Sequence, residues 1–370
     1  MIINMKKSVW LSILMLLPLV ASAVPVEIDG LYYELSSSDG VNTAEVTSSP
    51  DKYSGYIVIP ESVVYGDVAY SVTSIGVEAF RDCIQLYSIT IPNSVTSIES
   101  KAFAFCGNLT TITITIPDNL TTVGNYAFYN TAWLNMQPNG VVYVGKVAYI
   151  YKGDAPEGTA IDIKEGTVSI SSDAFLLQKG VASVTMPNSV TSIGEQAFSH
   201  CYSLETLVLS ENLTYIGFAA FDECDMLTTI SIPEKVTDIA SSMVAGCSKL
   251  ETVRLPKSIT KIGHGAFAYC KSLKEFYLEA TEVPTTNKQA FYDAIIENAT
   301  LYVPESSVDL YKTTVPWSGF GKILPDPTTG IGKVEMQPGN PDAFYNLNGH
   351  HVDNPSKGLY IHNGKKVVIK

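Results

Sequence analysis

The sequence predicts a repeat solenoid built mainly of short β-strands with 3₁₀ or short helical turns. Three observations predict it. A unit of 23 residues recurs along most of the 370-residue chain, units close on alternating apolar residues followed by proline, and a cysteine keeps one place within the unit. At 46% hydrophobic and 16% charged residues, with 21 Tyr, the composition excludes a disordered acidic chain and a coiled coil. A prior of roughly one domain per 150 residues presumes globular packing, which a solenoid does not follow.

The first element is a targeting segment. Lys6 and Lys7, an apolar run from Val9 to Val20, and Ala21-Ser22-Ala23 follow the charged, apolar, small-residue order of a secretory signal peptide. The 12 residues of that run fall short of the about 20 needed to span a bilayer. Residues 1–23 are therefore expected to be removed after Ala23, placing the mature chain outside the cell or on its outer surface without membrane insertion. No Cys follows the cleavage point, so nothing suggests lipid attachment there. Loss of Lys6 and Lys7 takes the formal charge from −13 to −15, which argues against nucleic acid and anionic membranes as partners. The acidity suits either solubility outside the cell or a basic partner.

The repeat comes next. One unit runs Val190-Thr191-Ser192-Ile193-Gly194-Glu195-Gln196-Ala197-Phe198, continues to Cys201 and Leu204, and closes on Leu207 and Leu209. Its Phe recurs as Phe80, Phe103, Phe198, Phe221 and Phe267, with Val244 between the last two, at steps of 23 within each run. Phe128 follows Phe103 by 25 because Ile112 to Ile116 carries two extra residues. Phe175 follows Phe128 by 47, close to two periods, so that span is expected to hide a degenerate repeat.

Within a unit, Ile89-Thr90-Ile91-Pro92 and Val253-Arg254-Leu255-Pro256 have the period-two pattern of a strand with one buried face, ended by proline. A second alternation, Val95-Thr96-Ser97-Ile98 or Ile259-Thr260-Lys261-Ile262, leads to a Gly where the chain bends. Two short strands per coil are expected. Ala197, Phe198, Cys201 and Leu204 are spaced for one 3₁₀ or α turn aimed inward. No coil can bury its own face, so stacked coils share one core and the ends need caps.

The pattern Val-Thr-x-Ile-Gly-x-x-Ala-Phe-x-x-Cys-x-x-Leu-x-x-Ile-x-Ile-Pro resembles the BspA-like leucine-rich repeat family of secreted bacterial surface proteins. The resemblance implies a leucine-rich-repeat-like solenoid over 71–324 with an irregular insert at about 131–166. Leu301-Tyr302-Val303-Pro304 through Trp317 and Ile323 looks like the family's closing unit. Gly30 to Leu35, with Tyr56 to Pro60 behind, looks like its N-terminal β cap, taken as 24–70. Thr131 and Gln178 depart from the ladder Cys, and Trp133 to Tyr151, with Asn139-Gly140 between apolar runs, reads as a hairpin. That insert is either a binding loop or an irregularity that bends the solenoid. Residues 325–343 read as a linker by their Pro and Gly content. Residues 344–370 resemble a type IX secretion sorting domain, with a small β module that only caps the protein as the alternative.

Chemistry is hard to find. The cysteines are Cys83, Cys106, Cys201, Cys224, Cys247 and Cys270, and the last four step by 23, which suits a stacked ladder of buried free thiols. Disulfides between coils about 5 Å apart would require parallel Cβ vectors to tilt together. No CxxC or Cys/His pair stands at metal-ligand spacing, and the repeat offers no base beside a thiol. His200 and His264 occupy variable positions expected to face solvent, and His350, His351 and His362 lie in the tail. There is no HExxH, GxSxG, P-loop or GxGxxG. No enzyme activity, metal or cofactor is expected.

Recognition therefore falls to the outward strand positions. Register places Thr90, Thr113, Thr185, Val208, Ser231, Arg254 and Tyr277 in one row, and Ser88, Thr111, Ser183, Thr206, Thr229, Thr252 and Glu275 in the other. The face is rich in hydroxyls, which suits a solvated sheet or a platform for a partner. Thr185, Val208, Ser231, Arg254 and Tyr277 form the candidate binding face, with Arg254 and Tyr277 the residue types most frequent as interface anchors. The resemblance implies adhesion to a host matrix or cell-surface protein, or to neighbouring cells. A surface glycan-binding protein for nutrient capture and a structural component without a ligand are the alternatives, and the oligomeric state stays open.

Overall fold

A computed structural model describes residues 24–109, 111–114, 120–327, 344–345, 351–352, 358–362 and 365–369. The expected signal segment lies outside them, as does most of the expected linker.

Strands β1 (Val26–Ile28), β2 (Leu31–Ser38) and β3 (Val41–Thr47) form an antiparallel meander. After β4 (Gly55–Val58), β5 (Ser62–Tyr65) folds as a hairpin onto β6 (Val68–Ile75), which pairs in parallel with β3. Coils follow, each with a main strand and a short one: β7 (Leu86–Ile91) and β8 (Ser97–Ile98), then β9 (Thr111–Ile114) and β10 (Thr122–Val123). Helix α1 (Ala132–Met136) and the hairpin β11 (Gly140–Val144) and β12 (Val147–Lys152) break the alternation. It resumes with β13 (Thr159–Asp162) and β14 (Ser169–Ile170), β15 (Val181–Thr185) and β16 (Ser192–Ile193), β17 (Thr206–Val208) and β18 (Tyr215–Ile216). Then come β19 (Thr229–Ser231) and β20 (Asp238–Ile239), β21 (Thr252–Leu255) and β22 (Lys261–Ile262), β23 (Glu275–Leu278) and β24 (Thr285–Thr286). β25 (Thr300–Val303) and β26 (Lys322–Pro325), with α2 (Val308–Thr313) between them, complete the main ladder.

Within each sheet the strands of successive coils pair in parallel and in register, Ser169 with Ser192 with Tyr215 and Ile170 with Ile193 with Ile216. Where strands pair, register is fixed because an inward apolar residue meets its equivalent one coil on, and a one-residue slip would turn that whole set outward. The expected Phe ladder is present: Phe80–Phe103, Phe103–Phe128, Phe175–Phe198 and Phe198–Phe221 stack at 5.1, 5.3, 4.8 and 5.6 Å, close to the about 4.8 Å between paired strands. Each ring is fully buried, which contributes about 1.5–3 kcal/mol.

The corner carrying this Phe has the i to i−3 hydrogen bonds of a 3₁₀-like turn, Ser199 N to Gln196 O and Cys201 N to Phe198 O. Left-handed residues at Gln196 (φ 53°) and His200 (φ 60°) divide it into two successive turns. That alternation frees every second N–H to reach the next coil: Gln196, Phe198 and His200 donate to Phe218, Ala220 and Asp222 carbonyls, each at 2.8 Å. The glycine before the corner is required for space, because a Cβ at Gly194 would lie 2.3 Å from Ser172 N.

The span between Phe128 and Phe175 does contain a degenerate coil. β12 supplies its short rung, with Val147 and Ala148 paired to Ser169 and Ile170, and Lys146 N donates to Leu120 O. In the main ladder no strand joins β9 to β13 among the described residues, and α1 follows β9, with Trp133 N bonded to Leu109 O. The hairpin sits between two hydrophobic clusters: Val142, Val144, Val147 and Tyr149 belong to the N-terminal one and Ala148 to the C-terminal one.

Both ladder departures serve this insert. Thr131 Oγ1 accepts from Leu134 N at 3.1 Å and so caps α1. Gln178 donates through Nε2 to Gly153 O at 3.0 Å and accepts from Ala155 N at 2.9 Å, tying down the segment that leaves β12.

At the C-terminus, β27 (Phe344–Tyr345), β28 (His351–Val352), β29 (Gly358–His362) and β30 (Lys365–Ile369) form an antiparallel sheet in the order β28-β27-β29-β30.

Candidate binding face

The outward row of the main ladder reaches its densest chemistry at the C-terminal coils. Arg254 pairs with Ser231 on one side and Tyr277 on the other, Tyr277 pairs with Tyr302, and Tyr302 with Leu324. Val253, Phe276 and Leu301 alternate with them and are buried, so the strand period forces Arg254, Tyr277 and Tyr302 outward together.

The Arg254 guanidinium carbon lies 3.7 Å from the Tyr277 ring centre. Tyr302 stacks on Tyr277 at 4.6 Å with 15° between planes. Tyr277 is thereby shielded to 9% exposure although it points away from the core. A cation on an aromatic face contributes about 0.5–1 kcal/mol at an exposed site and about 2 when desolvated. Burial pushes the Tyr277 phenol above its usual range, Glu275 adds to the rise, and Arg254 opposes it. The row therefore presents one guanidinium, two stacked phenols and the exposed Leu324, a mixed cationic and aromatic strip able to donate hydrogen bonds and cover apolar surface.

Of the five residues expected to form the face, Thr185 pairs with Val208 on one sheet, and Ser231, Arg254 and Tyr277 share another. Thr185, Val208 and Ser231 are exposed and Arg254 half-buried. No ladder joins Val208 to Ser231 among the described residues. Tyr302 belongs to this face and escaped the sequence reading because it follows Tyr277 by 25 residues rather than 23. Its signal was the alternation Leu301-Tyr302-Val303, which matches Phe276-Tyr277-Leu278.

A second aromatic group lies on the corner ridge of the N-terminal half. Tyr129 meets Phe105 at 5.4 Å and Tyr126 at 5.7 Å, both edge to face, and the Arg81 guanidinium carbon is 5.8 Å from the Phe105 ring centre. All three rings are exposed, and sequence reasoning missed them because Phe105 and Tyr126 hold the two left-handed corner positions, where side chains vary from coil to coil.

The six thiols are free and buried. Cys201, Cys224 and Cys247 donate to the carbonyls of Phe175, Phe198 and Phe221 in the preceding coil at 3.3, 3.3 and 3.2 Å. Burial pushes the Cys201 and Cys270 thiols up to about 12 and raises Cys224 and Cys247 well above the ordinary range, so these groups stay protonated and make poor nucleophiles and poor metal ligands. His264 Nε2 lies 2.7 Å from Gln289 Oε1, and His200 Nδ1 2.7 Å from Ser199 Oγ. Among the described residues no group of three or more His, Cys, Asp or Glu could hold a metal ion, and no helix is long and apolar enough to cross a membrane.

The family model described as a BspA type leucine rich repeat region matches residues 63–152, 148–274 and 192–312, in six copies. The chain belongs to the BspA type leucine-rich repeat family. Membership gives this leucine-rich repeat protein a protein-binding or surface role in coarse terms. No curated protein matches the sequence. Similar solved structures include a leucine-rich repeat protein from Bacteroides ovatus, 23% identical over 81% of this chain and 76% of that one, TM-score 0.35. The pneumococcal vaccine antigen PcpA is 17% identical over 82% of this chain and 98% of its own, TM-score 0.44. A leucine rich cell surface protein from Faecalibacterium prausnitzii is 21% identical over 82% and 95%, TM-score 0.33.

Proposed function

We propose that this leucine-rich repeat protein is secreted or held on the outer cell surface, where it adheres to a protein of host matrix, host cell or neighbouring cell without catalysis or cofactor. The observation that carries the reading is the strip of Arg254, Tyr277 and Tyr302, which concentrates the residue types that dominate protein interfaces on three adjoining rungs. The sequence order from a signal segment at 1–23 through a β cap at 24–70, a solenoid at 71–324 and a linker at 325–343 to a tail at 344–370 fits an exported binding module with a sorting signal. Screening the purified full chain against matrix proteins and a glycan array tests the function. A matrix-protein signal lost on combining Arg254→Ala with Tyr277→Ala is the expected result, and silence on proteins with a clear glycan signal overturns it. Export of a reporter with and without residues 344–370 tests the tail.

The exposed rings of Phe105, Tyr126 and Tyr129 favour glycan capture as the second reading, since sugars pack on aromatic surfaces that reach solvent. The array distinguishes it.

A further inference from the structure

The main ladder stops between β17 and β19, and the short ladder stops between β18 and β20, at the same coil boundary. Bonds that join coils on either side, Glu205 N to Ala182 O and Glu251 N to Thr228 O, have no counterpart from Thr228 N to Glu205 O among the described residues. The series of Thr214 N to Thr191 O and Thr260 N to Thr237 O likewise skips Thr237 N to Thr214 O. The boundary holds elsewhere. Ala219, Phe221 and Glu223 N–H groups reach Ser241, Met243 and Ala245 carbonyls at 3.1, 2.9 and 2.7 Å, and Lys235 Nζ donates to Asn212 Oδ1 at 2.8 Å. The two coils stay joined at the corner and part along both strand faces.

Two further observations mark the same place. Leu207 and Leu209 are only half-buried, although their equivalents Val184, Met186, Val253 and Leu255 are buried. An opening of about 470 Å³ lies there, lined by Glu205, Thr206, Val208 and Glu211 on one side and Thr229 and Ser231 on the other. The sequence departs from the repeat at the same coil. The coil of β19 carries Met243-Val244 where its neighbours carry Ala220-Phe221 and Ala266-Phe267, so a long side chain fills the Ala slot and the ring stack is interrupted. Both residues are fully buried.

We propose that this seam binds an extended polypeptide segment carrying basic side chains, which enters as an added strand between β17 and β19. Unpaired strand edges are templates for main-chain pairing, and strand addition draws affinity from backbone bonds and specificity from side-chain contacts. The volume lies within the about 300–1,000 Å³ of ligand sites. An inserted strand would cover Leu207 and Leu209 again. Glu205 and Glu211 stand at the opening with no ion-pair partner among the described residues, and that charge selects Lys or Arg. The inference rests on reading the chain as a binding protein and uses an opening that adjoins the strip, since Ser231 lines it and pairs with Arg254 on the next rung.

The test uses the full chain and a capped octapeptide alternating valine with threonine and lysine, followed by fluorescence anisotropy and hydrogen exchange. Saturable one-to-one binding with new protection over residues 205–211 and 228–233 is expected. N-methylating alternate peptide amides should weaken it about tenfold or more, as should the paired change Met243→Ala and Val244→Phe, which restores the repeat. If that pair fails to fold, Glu205→Gln with Glu211→Gln, both exposed, should weaken binding about tenfold. Tyr302→Ala, two rungs beyond Arg254 and away from the opening, should weaken the matrix-protein signal and leave peptide binding unchanged, so a failure of the strip and a failure of the seam read separately. Absence of saturable binding, binding that survives N-methylation, or protection confined to other segments overturns the proposal. So does a dimer protected at the same segments without peptide, which would assign the seam to a second copy.

Discussion

Arg254 lies one rung before Tyr277 in the parallel ladder, and its guanidinium carbon sits 3.7 Å from the centre of that ring. Register sets the two outward positions side by side on adjoining rungs, within reach of a side-chain contact. A double-mutant cycle of Arg254→Ala and Tyr277→Ala, read by urea unfolding, should give a coupling of about 1 kcal/mol. Arg254→Lys should lose part of it, because an ammonium cannot lie flat on a phenol as a guanidinium can. Additive single effects would mean that the stack holds no energy of its own.

Phe198 stacks on Phe175 at 4.8 Å and on Phe221 at 5.6 Å, so its removal strips contacts from three coils together. Phe198→Ala should destabilise by about 3–5 kcal/mol. In a solenoid the loss also uncouples the two sides, and the unfolding transition should broaden or split. A single transition as steep as the parent's would count against nearest-neighbour coupling through the ring ladder.

Gln178 marks a place where the repeat rule is broken in favour of a tether. Restoring the consensus with Gln178→Cys removes the bonds to Gly153 O and Ala155 N, leaving two backbone groups without this partner. The expected cost is about 1–3 kcal/mol, with faster hydrogen exchange over residues 152–158. At Thr131 the consensus change to Cys removes the cap of α1 and should cost about 1 kcal/mol. Consensus substitution ordinarily stabilises a repeat protein, so destabilisation at these two sites isolates the insert as the reason for the departures.

Sequence periodicity made the coils, the Phe ladder, the buried thiols and the outward row legible, because each depends on which residue follows which at a fixed step. Ala148 was hidden as a rung because it stands 25 residues after Val123 and 22 before Ile170. The same offset hid Tyr302. The seam was invisible for a different reason: Leu207 and Ile230 keep the 23-residue step while their strands do not pair. Periodicity reports position within a coil and carries no term for the distance between coils. That distance depends on how side chains of successive coils fill the shared core, which a 23-residue step does not encode.

The thiol ladder couples stability to pH. Burial holds Cys201 and Cys270 at about 12 in the folded chain against 9.0 when exposed, so above pH 9 the unfolded state loses protons that the folded state keeps. Each such thiol contributes stability that is complete below about pH 9 and is lost as the pH rises toward 12, with a limiting slope of about 1.4 kcal/mol per pH unit. Urea midpoints should therefore fall between pH 8.5 and 10.5 more steeply in the parent than in a variant with Cys201, Cys224, Cys247 and Cys270 changed to Ala. The variant is the necessary control, because buried phenols such as Tyr149 and Tyr311 are raised as well and contribute in the same direction. In the folded parent at pH 8 a thiol reagent should label these cysteines only at the rate of unfolding, whereas labelling within the mixing time would place the ladder on the surface and remove the basis for the slope.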